Sequence, residues 1–312
     1  MKNNDLYLIL NNLGDLFERP PEVRLGISHT SIPGQELVFE PSDEFAATHY
    51  RILCHELVPA ASVFLEPHTM MGGTVSDAVW QFMVERGYEP DTRSITADHL
   101  ATEFRFLGFL LEKERFDDVG RFVRQHLSSW IPVFLNRLER EKDSGMSQLA
   151  SFVGSLLGEI LCSNMNEHVH AEGYTKVPDT SFDIHSERTG LQDIGLFFAS
   201  HTESGLFIPR SRLLTEARLH RLPTGFGSRA RTIEGLFRSA GQYDAMDSIC
   251  TFLNEEIAIH RGVWSTWATG DTTFGAAHWA NIWSEKLDAT TAIVSHLQSA
   301  QIHSVEENPG QE

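Results

Sequence analysis

Apolar residues recur along most of this chain at the three- and four-residue spacing that puts them on one face of a helix. Leu6, Ile9, Leu10, Leu13 and Phe17 form the first stripe. The "RPPEVRLG" that follows ends it, because proline disfavours helical geometry in the residue before it. "SDEFAATHYRILCHEL" opens with Ser42 or Asp43 as a helix cap and then carries Phe45, Tyr50, Leu53, Cys54 and Leu57. "VPAASVFLEP" reads as a connection. "GTVSDAVWQFMVERGYEPD" sets Val75, Val79, Phe82 and Met83 on one stripe and stops at Gly87. In "ITADHLATEFRFLGFLLEKE", Leu100, Phe104, Leu107 and Leu111 make one stripe while Phe106 and Leu110 add a second, which predicts a central, buried helix.

The same period continues to the end. "FDDVGRFVRQHLSSWIPVFLNRLEREK" supplies Val119, Phe122, Val123 and His126, then Trp130 ahead of a Pro132 suited to the first turn of a new helix. "MSQLASFVGSLLGEILCSNM" is strongly apolar. "GYTKVPDTSFDIHSERTG" has little periodicity and reads as a linker. Beyond it Ile233, Leu236 and Phe237 share one helical face, and Tyr243, Met246, Ile249, Cys250, Leu253 and Ile257 share another. The best strand signal, "ELVFEP", is isolated. The pattern therefore predicts an all-α protein: a helical core over residues 1–172, a linker or hinge over 173–190, a helical C-terminal part over 191–299 and a disordered tail over 300–312.

Charge narrows the partners. With 25 basic and 43 acidic residues the formal net charge is -18, which argues against nucleic acid, since gripping phosphates takes a basic surface. A basic peptide is the better match. Cys54, Cys162 and Cys250 are odd in number and widely spaced, so they read as reduced thiols, and a cytoplasmic location is expected. The N-terminus does not resemble a secretory signal, and charges interrupt every apolar run, so no stable membrane insertion is expected.

Four features invite chemistry. "GFGSRA" formally fits a dinucleotide fingerprint, but polar, proline-bearing "RLHRLPT" precedes it instead of a buried strand, so a glycine-shaped turn entering a helix is the better account. "CSNMNEHVHAE" gathers Cys162, Met165, His168 and His170, a soft-ligand mixture for zinc or copper, although His168 and His170 diverge on a helix. Trp264, Trp267, Trp279 and Trp283 pair at spacings of three and four, which favours core packing over an exposed patch. The adjacent Asp98 and His99 are the last. A helix-capping role for Thr96 or Asp98, with His99 and Glu103 pairing at i,i+4, competes there with metal or acid–base chemistry. No GxSxG, Walker lysine loop, HExxH or paired CxxC occurs, and no catalytic residue or cofactor is assigned.

Taken in order, a helix with "Y-x-x-L", a "P-x-x-S-V-F-L" connection, "Y-E-P-D" after a glycine, "A-D-H-L-A-x-E-x-x-F-L" and "H-L-x-x-W-I-P-x-F" resembles the TorD/DmsD/NarJ family of molybdoenzyme maturation chaperones, in its long variant. The resemblance spans residues 45 to 165. It implies a TorD-like helical bundle with a helical C-terminal extension, and a cytoplasmic chaperone that is not an enzyme. The implied partners are the apo form of a molybdopterin oxidoreductase and its twin-arginine signal peptide, held until the cofactor is inserted. Carried over by resemblance, Asp98 and His99 belong to the peptide-binding surface, joined by Tyr50, Leu53, Ser62 and Phe64. Glu103 would add a second carboxylate for a guanidinium, beside apolar Phe64 and Phe104. A homodimer by exchange of helical elements is a further expectation. Two other readings stay open: a metal-dependent hydrolase or metal sensor using Asp98, His99 or the Cys162 to His170 cluster, and a permanent helical subunit of a redox complex.

Overall fold

A computed structural model describes residues 3–28, 36–67, 71–164, 177, 182–270 and 275–306. Among the described residues there are fourteen α-helices and one two-stranded sheet, so the chain is all-α, as its periodicity predicts. It divides into two compact units. One comprises Met1–Glu66, Met70–Lys176 and Trp267–Trp279, the other Pro67–Thr69, Val177–Thr266 and Ala280–Glu312.

The first unit begins with α1 (Asn3–Glu18), which packs along α5 (Leu100–Glu112). The two helices meet at a glycine: a Cβ on Gly14 would lie 2.9 Å from the Ala101 carbonyl oxygen. Both apolar stripes of α5 are buried, because α1 covers only part of its circumference and other helices cover the rest. Phe104 meets Phe17 of α1 edge-on at 5.7 Å, and Phe17 in turn contacts Phe134 at 6.0 Å. A second aromatic group joins Phe82, Phe106 and Phe122, with the His126 ring 5.0 Å from Phe82 and the Arg86 guanidinium 3.4 Å above the Phe82 ring.

Three local elements depart from the sequence pattern. "ELVFEP" is not isolated: β2 (Glu36–Phe39) pairs antiparallel with β1 (Leu25–Ser28), a strand in which Ile27 alone is buried and which therefore carries no alternation to read. Helix α2 (Asp43–His49), capped by the Ser42 hydroxyl, runs straight into a π-helical stretch, Tyr50–Glu56. The wider turn shifts the phase of the stripe, so Ile52, Leu53 and Leu57 point inward while Tyr50 and Cys54 are exposed. The "VPAASVFLEP" connection contains a one-turn helix, α3 (Ala61–Leu65), every residue of which is buried. The unit continues through α4 (Thr74–Val84), α6 (Phe116–Phe122) with a second π-helical stretch (Val123–Leu127), α7 (Ile131–Glu139) and α8 (Ser144–Asn164).

The second unit holds α9 (Leu191–Ala199), α10 (His201–Ser204), α11 (Arg210–Leu219), α12 (Arg229–Gln242) and most of α13 (Met246–Gly270) and α14 (Ala276–Glu306). Helix α9 packs on α12 through Gly195, where a Cβ would lie 2.8 Å from the Ala230 carbonyl oxygen. "GFGSRA" is a turn entering a helix: Gly225 and Gly227 take positive φ and the Ser228 hydroxyl caps α12. Trp264, Trp279 and Trp283 are buried, while Trp267 is half-buried. Beneath Trp283 lies His201, its ring stacked 4.2 Å away. The nearby His260 donates from Nδ1 to the Glu256 carbonyl and accepts the Phe207 N–H at Nε2, which fixes it as a neutral structural ring. No helix among the described residues is long and apolar enough to cross a membrane.

Candidate functional site

The segment "TADHLATE" enters α5 through an extended residue, and two side chains there cap two different helices. His99 is the N-cap of α5, its Nδ1 accepting the Ala101 N–H at 3.2 Å. Asp98, one of the two residues expected to cap this helix along with Thr96, instead reaches α3. Its Oδ2 accepts the Ser62 N–H at 2.6 Å, satisfying an N-terminal donor for which α3 has no side chain of its own. This supplies the reason a five-residue helix forms in a sequence without helical periodicity. Backbone contacts reinforce the junction: Ala60 and His99 form an isolated antiparallel bridge, Ala61 N–H donates to the Asp98 carbonyl and Leu100 N–H to the Pro59 carbonyl.

The junction is buried. Asp98 and Glu103 are fully buried and His99 nearly so. Burial pushes the His99 pKa down to about 4, outweighing the attraction of Asp98 and Glu18, so the ring is neutral and its Nδ1 free to accept. Burial, reinforced by the Asp98 carboxylate, holds the Glu103 carboxyl well above its ordinary range. His99 and Glu103 do not pair through their side chains. Both Glu103 oxygens and Asp98 Oδ1 lack a hydrogen-bond partner, which is costly for buried carboxyls. A second imidazole, His49, closes this region: its Nε2 donates to the Leu16 carbonyl at 2.7 Å, its Nδ1 has no partner, and burial lowers its pKa. His49 was legible in principle, since it lies four residues after Phe45 and four before Leu53, on the inward stripe.

The remaining residues expected at a peptide surface separate into two groups. Tyr50 is 50% exposed on the π-helical stretch. Leu53, Ser62 and Phe64 are buried, Phe64 lying 5.3 Å from Trp130 and 6.3 Å from Phe134. The Ser62 hydroxyl accepts the Gly72 N–H at 3.0 Å, so the same residue ties α3 both to Asp98 and to the chain leading into α4. Beside the junction, Arg105 on α5 holds Asp15 at 2.7 Å and Glu18 at 2.6 Å on α1. The structure thus brings Asp98, His99, Glu103 and Ser62 together at one buried junction with Phe104 and Phe64 in its surrounding core.

Among the described residues no group of three or more His, Cys, Asp or Glu side chains is placed to hold a metal ion. The Cys162 to His170 cluster lies outside the described residues, apart from the backbone of α8 up to Asn164. No curated protein matches the chain. Residues 36–136, which hold α2 to α6, both π-helical stretches and the start of α7, match the model of the family described as nitrate reductase delta subunit, a NarJ/TorD-type chaperone family.

Proposed function

We propose that the protein is a maturation chaperone for a molybdopterin-dependent oxidoreductase, binding the apoprotein or its twin-arginine signal peptide through the junction of α3 and α5 before the cofactor is inserted. The family match over residues 36–136 supports the chaperone role. The single observation that supports the site is the buried pair Asp98 and Glu103, three of whose carboxyl oxygens have no donor. A guanidinium offers five N–H donors in a fixed fork and would satisfy them. Admission of the guanidinium requires α3 to yield, and the contact to break is short and specific: Ser62 N–H to Asp98 Oδ2. Tyr50, exposed at the end of the neighbouring π-helical stretch, supplies an aromatic surface for the apolar part of the peptide.

The test is calorimetric titration of the full chain with a cognate signal peptide. Asp98→Ala and His99→Ala are expected to weaken binding by about tenfold or more, equivalent to roughly 1.4 kcal/mol. Unchanged affinity in variants whose circular dichroism is native would remove the site. The role itself is tested by co-purification. A chaperone recovers oxidoreductase lacking its cofactor, whereas a permanent subunit recovers the loaded enzyme. Stoichiometric metal in untagged protein would revive the hydrolase or sensor reading.

A further inference from the structure

The second unit carries a cavity of about 440 Å³ between the turn Asp183–Thr189, the exposed side of α9 and Glu203 of α10. That volume falls in the range of small-ligand sites. Its apolar wall is the Phe182 ring stacked on Phe197 at 4.5 Å, with Leu196, 46% exposed, at the lip. Among the described residues its charged lining is one-sided: Asp183, Asp193 and Glu203 against the single Arg188. Two of these carboxylates are held in place by backbone donors. Asp193 accepts the Gly190 N–H at 2.9 Å as part of the α9 capping box, and Asp183 accepts the His185 N–H at 2.9 Å.

From this arrangement we infer that the cavity is a binding site for an organic cation with an apolar or aromatic body: an ammonium or guanidinium group held among Asp183, Asp193 and Glu203, its body resting against Phe182, Phe197 and Leu196. The apolar body gains from burial against the rings. The charge gains from Asp183 and Asp193, both already fixed before the ligand arrives, which lowers the ordering cost of binding. An aromatic face within reach of the cation adds to this. An anion of the same shape would meet three like charges and, among the described residues, only Arg188 in its favour. The residues of this site belong to the second unit and those of the α3–α5 junction to the first, and the inference does not depend on the chaperone reading.

The test is an NMR titration of the full chain with phenethylamine, with 3-phenylpropionate as the charge-reversed control. Saturable binding of the amine without binding of the carboxylate is expected. Leu196→Arg, a change at an exposed position that places a competing cation at the lip, is expected to weaken the amine at least about fivefold, and Glu203→Gln about threefold. Asp98→Ala is expected to leave amine binding unchanged, which keeps the outcome distinct from that of the signal-peptide experiment. Equal binding of amine and carboxylate, no binding of the amine, or an affinity untouched by both Leu196→Arg and Glu203→Gln would overturn the assignment. An N-acetyl-Phe-Arg amide arm distinguishes the sources: tighter binding than phenethylamine indicates the basic side chain of a peptide, and equal or weaker binding indicates a free amine.

Discussion

Glu103 is the side chain with the most at stake. Its carboxyl is 0% exposed, unpartnered and held well above the ordinary carboxyl range by burial and by the neighbouring Asp98, so in the folded chain it keeps its proton to higher pH than its unfolded counterpart, which ionises near the usual value of about 4.3. The folded state then binds the extra proton. Its contribution to stability is complete below the unfolded pKa and is lost as pH rises toward the folded one. Glu103→Gln is accordingly expected to flatten the fall in stability as pH rises above the unfolded value of about 4.3, measured by denaturant unfolding at several pH values; an unchanged slope would refute it. Histidines act at the other end. Burial lowers His99 to about 4 and His126 to about 3, so both are neutral when folded and become charged near pH 6.5 when unfolded. Stability from both is present above pH 6.5 and declines as pH drops through that value toward the folded pKa values. His126→Leu should reduce the acid sensitivity. Asp98→Ala, which orphans the Ser62 N–H, should cost about 1–3 kcal/mol, and Asp98→Asn, which keeps an acceptor, should cost less.

At the scale of elements, close helix approach makes the sharpest prediction. Gly14→Ala on α1 places a methyl 2.9 Å from the Ala101 carbonyl oxygen of α5, a backbone atom that cannot rotate away, and should destabilise by about 1–3 kcal/mol in thermal unfolding. Gly26→Ala, which meets nothing within 4 Å, is the control. Helix α5 was legible in the sequence because its two stripes carry enough apolar positions to signal burial on several sides. The site residues were legible only as a cluster. Spacing placed Asp98 and His99 at a helix entrance, but which helix each one caps depends on the arrival of α3 from 36 residues earlier, and no local pattern records that. The shift from α to π geometry at Tyr50 escaped for a related reason: reading a stripe assumes 3.6 residues per turn, and the wider turn sends Tyr50 and Cys54 outward where the assumption turns them in. Helix α3 has no period to read at all. It owes its form to a carboxylate supplied by a distant part of the chain.

At the scale of the molecule, the net charge of -18 favours basic ligands at long range, and that attraction is screened beyond about 8 Å at physiological salt. Association with a basic peptide should therefore slow as salt is raised, by a factor readable in stopped-flow kinetics. The division into units carries a further consequence. Residues Trp267–Trp279 belong to the first unit, yet the chain reaches them only after most of the second has been made, and it then returns to the second. No single cut can separate the two units intact. During synthesis the amino-terminal unit is therefore expected to remain without its last segment, which includes the buried Trp279, until most of the polypeptide has been made. A fragment ending at residue 176 would reproduce that unfinished intermediate, and it should be trapped by holdases or proteolysed where the full chain is not.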